Sequence, residues 1–198
     1  MNTQKLRAYQ SSAFVAGAVL LAGLPALAAS GNGERANAVA TFTSHDPAGC
    51  ISTETSVFVR KDAGKRERLE LRILKVNECT GAGLLDLRAD RFIPNGSFRI
   101  APDQSSAWLN VSIPVSDKFS NAEFPASIVL KWKAQGSAAT ATTANESTAL
   151  GKFSRSLKPM RRTVHLSDAT GTVYFNSTGI ALKAADSAWI DHAVDAAQ

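Results

Sequence analysis

The chain has 198 residues, of which 44% are hydrophobic and 20% are charged, and its formal net charge at pH 7 is +5. This length and apolar content suit a single domain with its own core and exclude a disordered, low-hydrophobicity chain. The positive excess is mild, which argues against a nucleic-acid-binding protein, because such proteins carry a stronger and more clustered excess.

The N-terminus has the three parts of a secretory signal peptide. Lys5 and Arg7 form a basic start, an apolar run follows, and the small residues "ALA" end it. We predict cleavage before Ala29, with a signal peptide over residues 1–28 and one domain over residues 29–198. No later apolar run is long enough to span a bilayer, so the mature chain is predicted to be secreted or periplasmic without a membrane span.

Downstream, apolar and polar residues alternate in short segments, which is typical of strands with one buried face. The clearest segments lie at residues 51–59, 69–73, 85–87, 109–115, 128–132 and 171–175. Turn-forming stretches such as "IPNGS" and "APDQSS" separate them, and no amphipathic helix intervenes. We therefore predict an all-β fold, an antiparallel β-sandwich with a barrel as the alternative.

Two segments depart from this pattern. Residues 136–150, rich in alanine and threonine, offer little apolar area and are predicted to form a flexible loop or a poorly packed edge strand. Residues 186–198 are predicted to make a short helical turn, with Asp186 or Ser187 as its N-cap.

Cys50 and Cys79 are the only cysteines, and in an exported chain two thiols pair by default. A zinc site would need four ligands, and only His45 is near in sequence, without C-x-x-C spacing. A nucleophilic cysteine would need a base and an unpaired thiol. We predict a disulfide, which for about 30 enclosed residues stabilises the fold by on the order of 3.5 kcal/mol.

The segment between the cysteines is predicted to be a hairpin with its turn at "DAGK". Matching apolar faces places Val59 opposite Leu69, but that register leaves the two cysteines one residue out of step. The apolar phase slips between Ile73 and Leu74, so we predict a β-bulge there that brings the cysteines level.

No catalytic residue is predicted. His45, His165 and His192 lack a G-x-S-x-G elbow, an H-E-x-x-H motif or a strand-borne carboxylate pair, so surface or turn positions explain them. The same scatter argues against a metal site, and no cofactor motif is present. A hydrolase with an unrecognised site stays open as an alternative.

Two basic clusters are the best functional indications. The first, over residues 60–75, is interleaved with acids, as on a solvated sheet face. The second contains no acid and is the candidate anion-binding site, with a solvated surface as the alternative. Its members are Lys152, Arg155, Lys158, Arg161 and Arg162.

The tryptophans differ in their phase along the predicted strands. Trp132 continues an apolar strand face and is predicted to be core. Trp108 lies out of phase with its apolar neighbours and is therefore the better candidate for an exposed aromatic that contacts a sugar.

The signal peptide, "DPAGC", the second cysteine in "NECTGAG" and the late "DATGTV" strand resemble those of small exported bacterial proteins without an assigned activity. The resemblance implies export and a β fold, and it transfers no site residue. The expected function is non-enzymatic recognition in the cell envelope or extracellular space, with an anionic glycan, lipid headgroup or protein surface as partner. A structural envelope component is a further alternative.

Overall fold

The computed structural model describes residues 34–143, 149–150, 153–154 and 160–195. The predicted signal peptide and cleavage point lie outside these residues. The described residues form thirteen strands and no helix. The strands are β1 (Arg35–His45), β2 (Ile51–Asp62), β3 (Glu67–Asn77), β4 (Ala82–Ile93), β5 (Phe98–Ile100), β6 (Ser106–Asp117), β7 (Glu123–Ala134), β8 (Ala139–Thr143), β9 (Ala149–Leu150), β10 (Phe153–Ser154), β11 (Met160–Phe175), β12 (Thr178–Leu182) and β13 (Ser187–Asp195).

Eight of these strands pair in a closed ring. Each pairs antiparallel with the next, in the order β1, β2, β3, β4, β6, β7, β11 and β13, and β13 pairs back with β1. The predicted all-β antiparallel fold is confirmed, and the ring fits both the sandwich and the barrel that the sequence left open. Closure gives each of these strands a partner on both edges, although β4 and β6 share only two residue pairs and residues 42–45 of β1 extend beyond β13.

The long strand β11 pairs with two strands along each of its edges. One of its edges pairs with β8 and then β7, and the other pairs with β13 and then β12. Gly171 on β11 lies opposite Leu130 of β7, where an added Cβ would meet the Val129 carbonyl oxygen at 2.1 Å. Glycine at this position therefore allows β11 and β7 to approach closely.

The core consists of the inward-facing side chains of the strands, which alternate with outward-facing ones. Trp132 is 1% exposed and packs edge-to-face on Phe98, with ring centroids 6.5 Å apart. Its indole N–H donates to the Val39 carbonyl oxygen at 2.8 Å, a bond that links β7 to β1 across the interior. The predicted core position of Trp132 is confirmed.

One acid is buried with this core. Glu67 is 1% exposed, and its carboxylate accepts hydrogen bonds from the backbone N–H groups of Gly96 and Phe98, both at 2.9 Å. Lys61 Nζ lies 3.8 Å from the same carboxylate. The bonds satisfy a charge that would be costly to bury alone, and they fix the loop between β4 and β5 against β3.

The predicted disulfide forms, with the Cα atoms of Cys50 and Cys79 5.3 Å apart. The predicted bulge is wrong, because β2 and β3 keep one register from Arg60 opposite Arg68 to Ile51 opposite Asn77. The bulge lies instead between β3 and β4, at Lys75/Val76.

A turn brings the cysteines together without a bulge. The Glu78 N–H donates to the Cys50 carbonyl oxygen at 2.7 Å, as the unshifted register requires. The chain then turns, and the Gly81 N–H donates to the Asn77 carbonyl oxygen at 2.7 Å. Cys79 therefore reaches Cys50 from a turn, where the direction of the backbone is not set by the pairing of β2 with β3.

The predicted C-terminal helical turn is also wrong. Residues 187–195 form β13, which pairs with seven residues of β1 and seven of β11. Ring closure gives this segment two neighbouring strands, and Ala188 and Ile190 are buried in the core. The alanine- and threonine-rich segment contributes β8, an exposed edge strand on β11, in agreement with one of its two predicted states; residues 144–148 lie outside the described part.

Candidate functional site

An open depression of about 550 Å³ lies on the outer face of β2, β3, β4 and β6. Two cross-strand rows line it, and the register of the sheet sets both. The first row is Ser56, Arg72, Arg88 and Ser116, and the second is Phe58, Glu70 and Asp90. We call this site the arginine depression.

Arg72 and Arg88 lie directly opposite each other, an arrangement that repulsion would disfavour without a shared acid. Asp86 supplies it. The Arg88 guanidinium donates to both carboxylate oxygens, at 3.0 Å through Nε and 2.6 Å through Nη2, and Arg72 Nε donates at 3.3 Å. Asp86 is 5% exposed, so the two arginines are positioned by one buried carboxylate.

The environment of Asp86 favours its charged form. The Arg88 hydrogen bond is the largest influence and lowers the pKa of the Asp86 carboxyl, burial opposes it, and the Arg72 hydrogen bond lowers it further. Asp86 therefore stays ionised at neutral pH and keeps both guanidinium groups in place.

The turn after β6 holds Asp86 from the other side. Asp117 accepts the Asp86 N–H at 3.2 Å and the hydroxyl of Ser120 at 2.6 Å. The Ser120 hydroxyl is the largest of the influences that lower the pKa of Asp117. The Lys118 N–H donates to the Asp86 carbonyl oxygen at 2.9 Å, so the main chain of Lys118 is held against β4, and Lys118 also lines the depression.

The arginines keep hydrogen-bonding capacity for a ligand. Their side chains are 46% and 49% exposed, and within the described residues the two terminal nitrogens of Arg72 make no hydrogen bond. The two acids of the second row are engaged by Arg68, which lies outside the depression. Arg68 donates to both oxygens of Asp90, at 2.7 and 2.6 Å, and lies 3.4 Å from Glu70. The acids of the depression are thus already engaged, and its unengaged charge is positive.

The predicted anion-binding cluster is described only in part. Lys152, Arg155 and Lys158 lie outside the described residues. Arg161 is exposed on β11, whereas Arg162 donates to both oxygens of Asp191, at 2.8 and 2.7 Å. Arg162 is therefore engaged in linking β11 to β13.

The histidines occupy three different surroundings. His45 is about half exposed and lies 3.8 Å from the Glu78 carboxylate. His192 bonds through Nε2 to Glu34 at 2.7 Å, and Nδ1 of His165 is buried with no hydrogen-bond partner among the described residues. No hydroxyl group of the described residues hydrogen-bonds to any of the three imidazole rings.

The described part of the chain has neither a cluster of metal ligands nor a membrane-spanning helix. No group of three or more histidine, cysteine, aspartate or glutamate residues there is arranged to hold a metal ion. None of its residues form a helix with the length and hydrophobicity needed to cross a membrane.

Sequence patterns alone indicate only part of the arginine depression. Arg72 belongs to the first basic cluster, which was interpreted as a solvated face, and Arg88 belongs to an alternating strand of mixed charge. The placement of Asp86 between them depends on the register of β3 with β4, which spans a bulge. Only the paired sheet brings these three side chains together.

Comparison with known proteins finds no matching family, no similar curated protein and no similar solved structure. The resemblance to small exported bacterial proteins therefore stays a prediction.

Proposed function

We propose that the chain is a non-enzymatic recognition module that binds an anionic group of its partner in the arginine depression. The observation that carries this proposal is the pair Arg72 and Arg88, half exposed and positioned by one buried carboxylate. Guanidinium groups match carboxylate and phosphate geometry, and fixing them in advance reduces the ordering cost of binding.

The surroundings of the two arginines suit an anion with an apolar portion. Ser56 and Ser116 place a hydroxyl-bearing side chain at each end of the arginine row, and Phe58 contributes an apolar surface beside it. A volume of about 550 Å³ is in the usual range for small ligand sites.

The place of action in this proposal is the cell envelope or the extracellular space. The Cys50–Cys79 disulfide is consistent with an oxidising compartment. The proposed signal peptide at residues 1–28 would direct the chain there. The basic cluster that includes Arg155 and Arg161 is a separate prediction and is not needed for this site.

Isothermal titration with inorganic phosphate and with citrate tests the proposal. Arg72→Gln removes the guanidinium with free donors and leaves Arg88 on Asp86, so we expect at least a tenfold loss of affinity, about 1.4 kcal/mol. Lys183→Gln is the control, because it removes one exposed positive charge that lies outside the arginine depression. Equal binding by the Arg72→Gln variant and the wild type, or no binding of either anion by the wild type, would refute the proposal.

A further inference from the structure

A second exposed surface lies on β5, β6, β7 and β11, away from the strands β2 and β3 of the arginine depression. Trp108 on β6 is paired in register with Arg99 of β5 on one side and with Lys131 of β7 on the other. Trp108 is 39% exposed, which confirms its predicted exposure. The aromatic ring is thus flanked by two cations in one cross-strand row.

Two further apolar side chains extend this surface diagonally across the sheet. Val129 shares the outer face of β7 with Lys131 and is 37% exposed. Tyr174 of β11 is 55% exposed, and its ring covers Gly179 of β12, where an added Cβ would lie 3.4 Å from ring atom Cδ2. One face of the tyrosine ring therefore rests on the neighbouring strand. We call the surface formed by Trp108, Val129 and Tyr174 the Trp108 face.

The charge of the Trp108 face is positive at one end only. Among the described residues, no ion pair includes Arg99, Lys131 or Lys133, and the one acid in register with them is Asp168, opposite Lys133. Around Val129 and Tyr174 the outward neighbours are uncharged and polar. They are Asn110, Ser112, Ser127 and Thr172.

The size of the face fits an extended ligand. Trp108 and Tyr174 lie two strands apart and are offset along the strands by four residues, which places their Cα atoms roughly 16 Å apart. A single headgroup does not reach both rings. A polysaccharide in which neutral sugars separate the acidic ones matches a charged end followed by an uncharged polar one, whereas a nucleic acid carries a charge on every nucleotide.

We propose that the Trp108 face binds an acidic polysaccharide. The two aromatic rings and Val129 pack against the apolar faces of successive sugar rings, and the hydroxyl and amide side chains bond sugar hydroxyls. Arg99, Lys131 and Lys133 pair with the carboxylate or sulfate groups at the Trp108 end.

Binding of labelled hyaluronan and gellan, in which neutral sugars separate the acidic ones, to the purified protein, measured by filter retention, tests this proposal. We expect Trp108→Ala to weaken binding about tenfold and the Lys131→Gln/Lys133→Gln pair to reduce both the affinity and its salt dependence. Phe92→Ala is the control, because Phe92 is 59% exposed on β4, outside the Trp108 face. Far-ultraviolet circular dichroism checks that each variant is folded, and Tyr174→Ala, at the other end of the face, is measured in the same filter-retention assay.

The outcomes separate this proposal from the arginine depression. Arg72→Gln should bind both polysaccharides like the wild type, whatever it does to phosphate or citrate. The proposal is overturned if the wild type binds neither polysaccharide, if Trp108→Ala and Tyr174→Ala both bind like Phe92→Ala, or if a single-stranded oligonucleotide binds more tightly than either polysaccharide.

Discussion

Replacing the buried acid Glu67 with glutamine changes almost no volume and removes one hydrogen-bond acceptor from the interior. In the wild type the two carboxylate oxygens accept the N–H groups of Gly96 and Phe98, both at 2.9 Å. A glutamine amide has one oxygen and one NH₂ group, so it satisfies one of these donors and turns a donor toward the other.

The expected cost follows from these two bonds. A hydrogen bond to a charged group contributes about 1.5–3 kcal/mol, and leaving a buried donor unsatisfied costs about 1–3 kcal/mol. One bond is lost and the other becomes neutral, so we expect the free energy of unfolding to fall by about 2–4 kcal/mol. The lysine Nζ at 3.8 Å adds little, because the Lys61 side chain is 51% exposed.

Urea unfolding followed by tryptophan fluorescence measures this loss. Glu70→Gln is the matched control on the same strand, with a side chain that is 47% exposed, and it should change stability by no more than about 0.5 kcal/mol. If Glu67→Gln unfolds at the same urea concentration as Glu70→Gln, the carboxylate does not hold the loop between β4 and β5 as described.

Two further predictions concern the contribution of the disulfide to stability and the loss of stability at low pH. Replacing Cys50 and Cys79 by serine should lower the free energy of unfolding by up to about 3.5 kcal/mol in urea, and an unchanged midpoint would contradict a stabilising role for the disulfide. Because Arg88 lowers the pKa of Asp86 below its unfolded value of about 3.9, the stability it contributes is present above that pH and is lost as the pH falls through the folded pKa. Asp86→Asn should therefore be less stable than the wild type at pH 7 and lose less on acidification below about pH 4; parallel stability curves from pH 5 to pH 2 would show that Asp86 does not contribute this pH dependence.

Alternation predicted the β2–β3 hairpin and most of its register. The predicted pairs from Val59 opposite Leu69 to Thr55 opposite Ile73 are those of the structure, because inward phase and turn position fix them locally. The slip predicted after Ile73 is absent from the β2–β3 register. The register shift lies instead at Lys75/Val76 on the β4 side, where Leu84 of β4 is the extra residue, so the alternation of β3 does not reveal it.

Strand β1 gave a weak sequence signal for a reason that the structure explains. Its inward residues Ala36, Ala38 and Ala40 are small and have low strand propensity. Their size suits the place where the indole of Trp132 reaches across to the β1 backbone. The alanines are therefore explained by a partner that is distant in sequence.

The sequence by itself determined the features that depend on neighbours within a strand or on cysteine count. These are the antiparallel all-β class, the Cys50–Cys79 pairing, the buried Trp132 and the exposed Trp108. Only the tertiary structure decided which strands close the ring and which outward side chains share a row. Arg72 meets Arg88, and Trp108 meets Lys131, through register between strands, and register depends on turns, bulges and closure that involve the whole sheet.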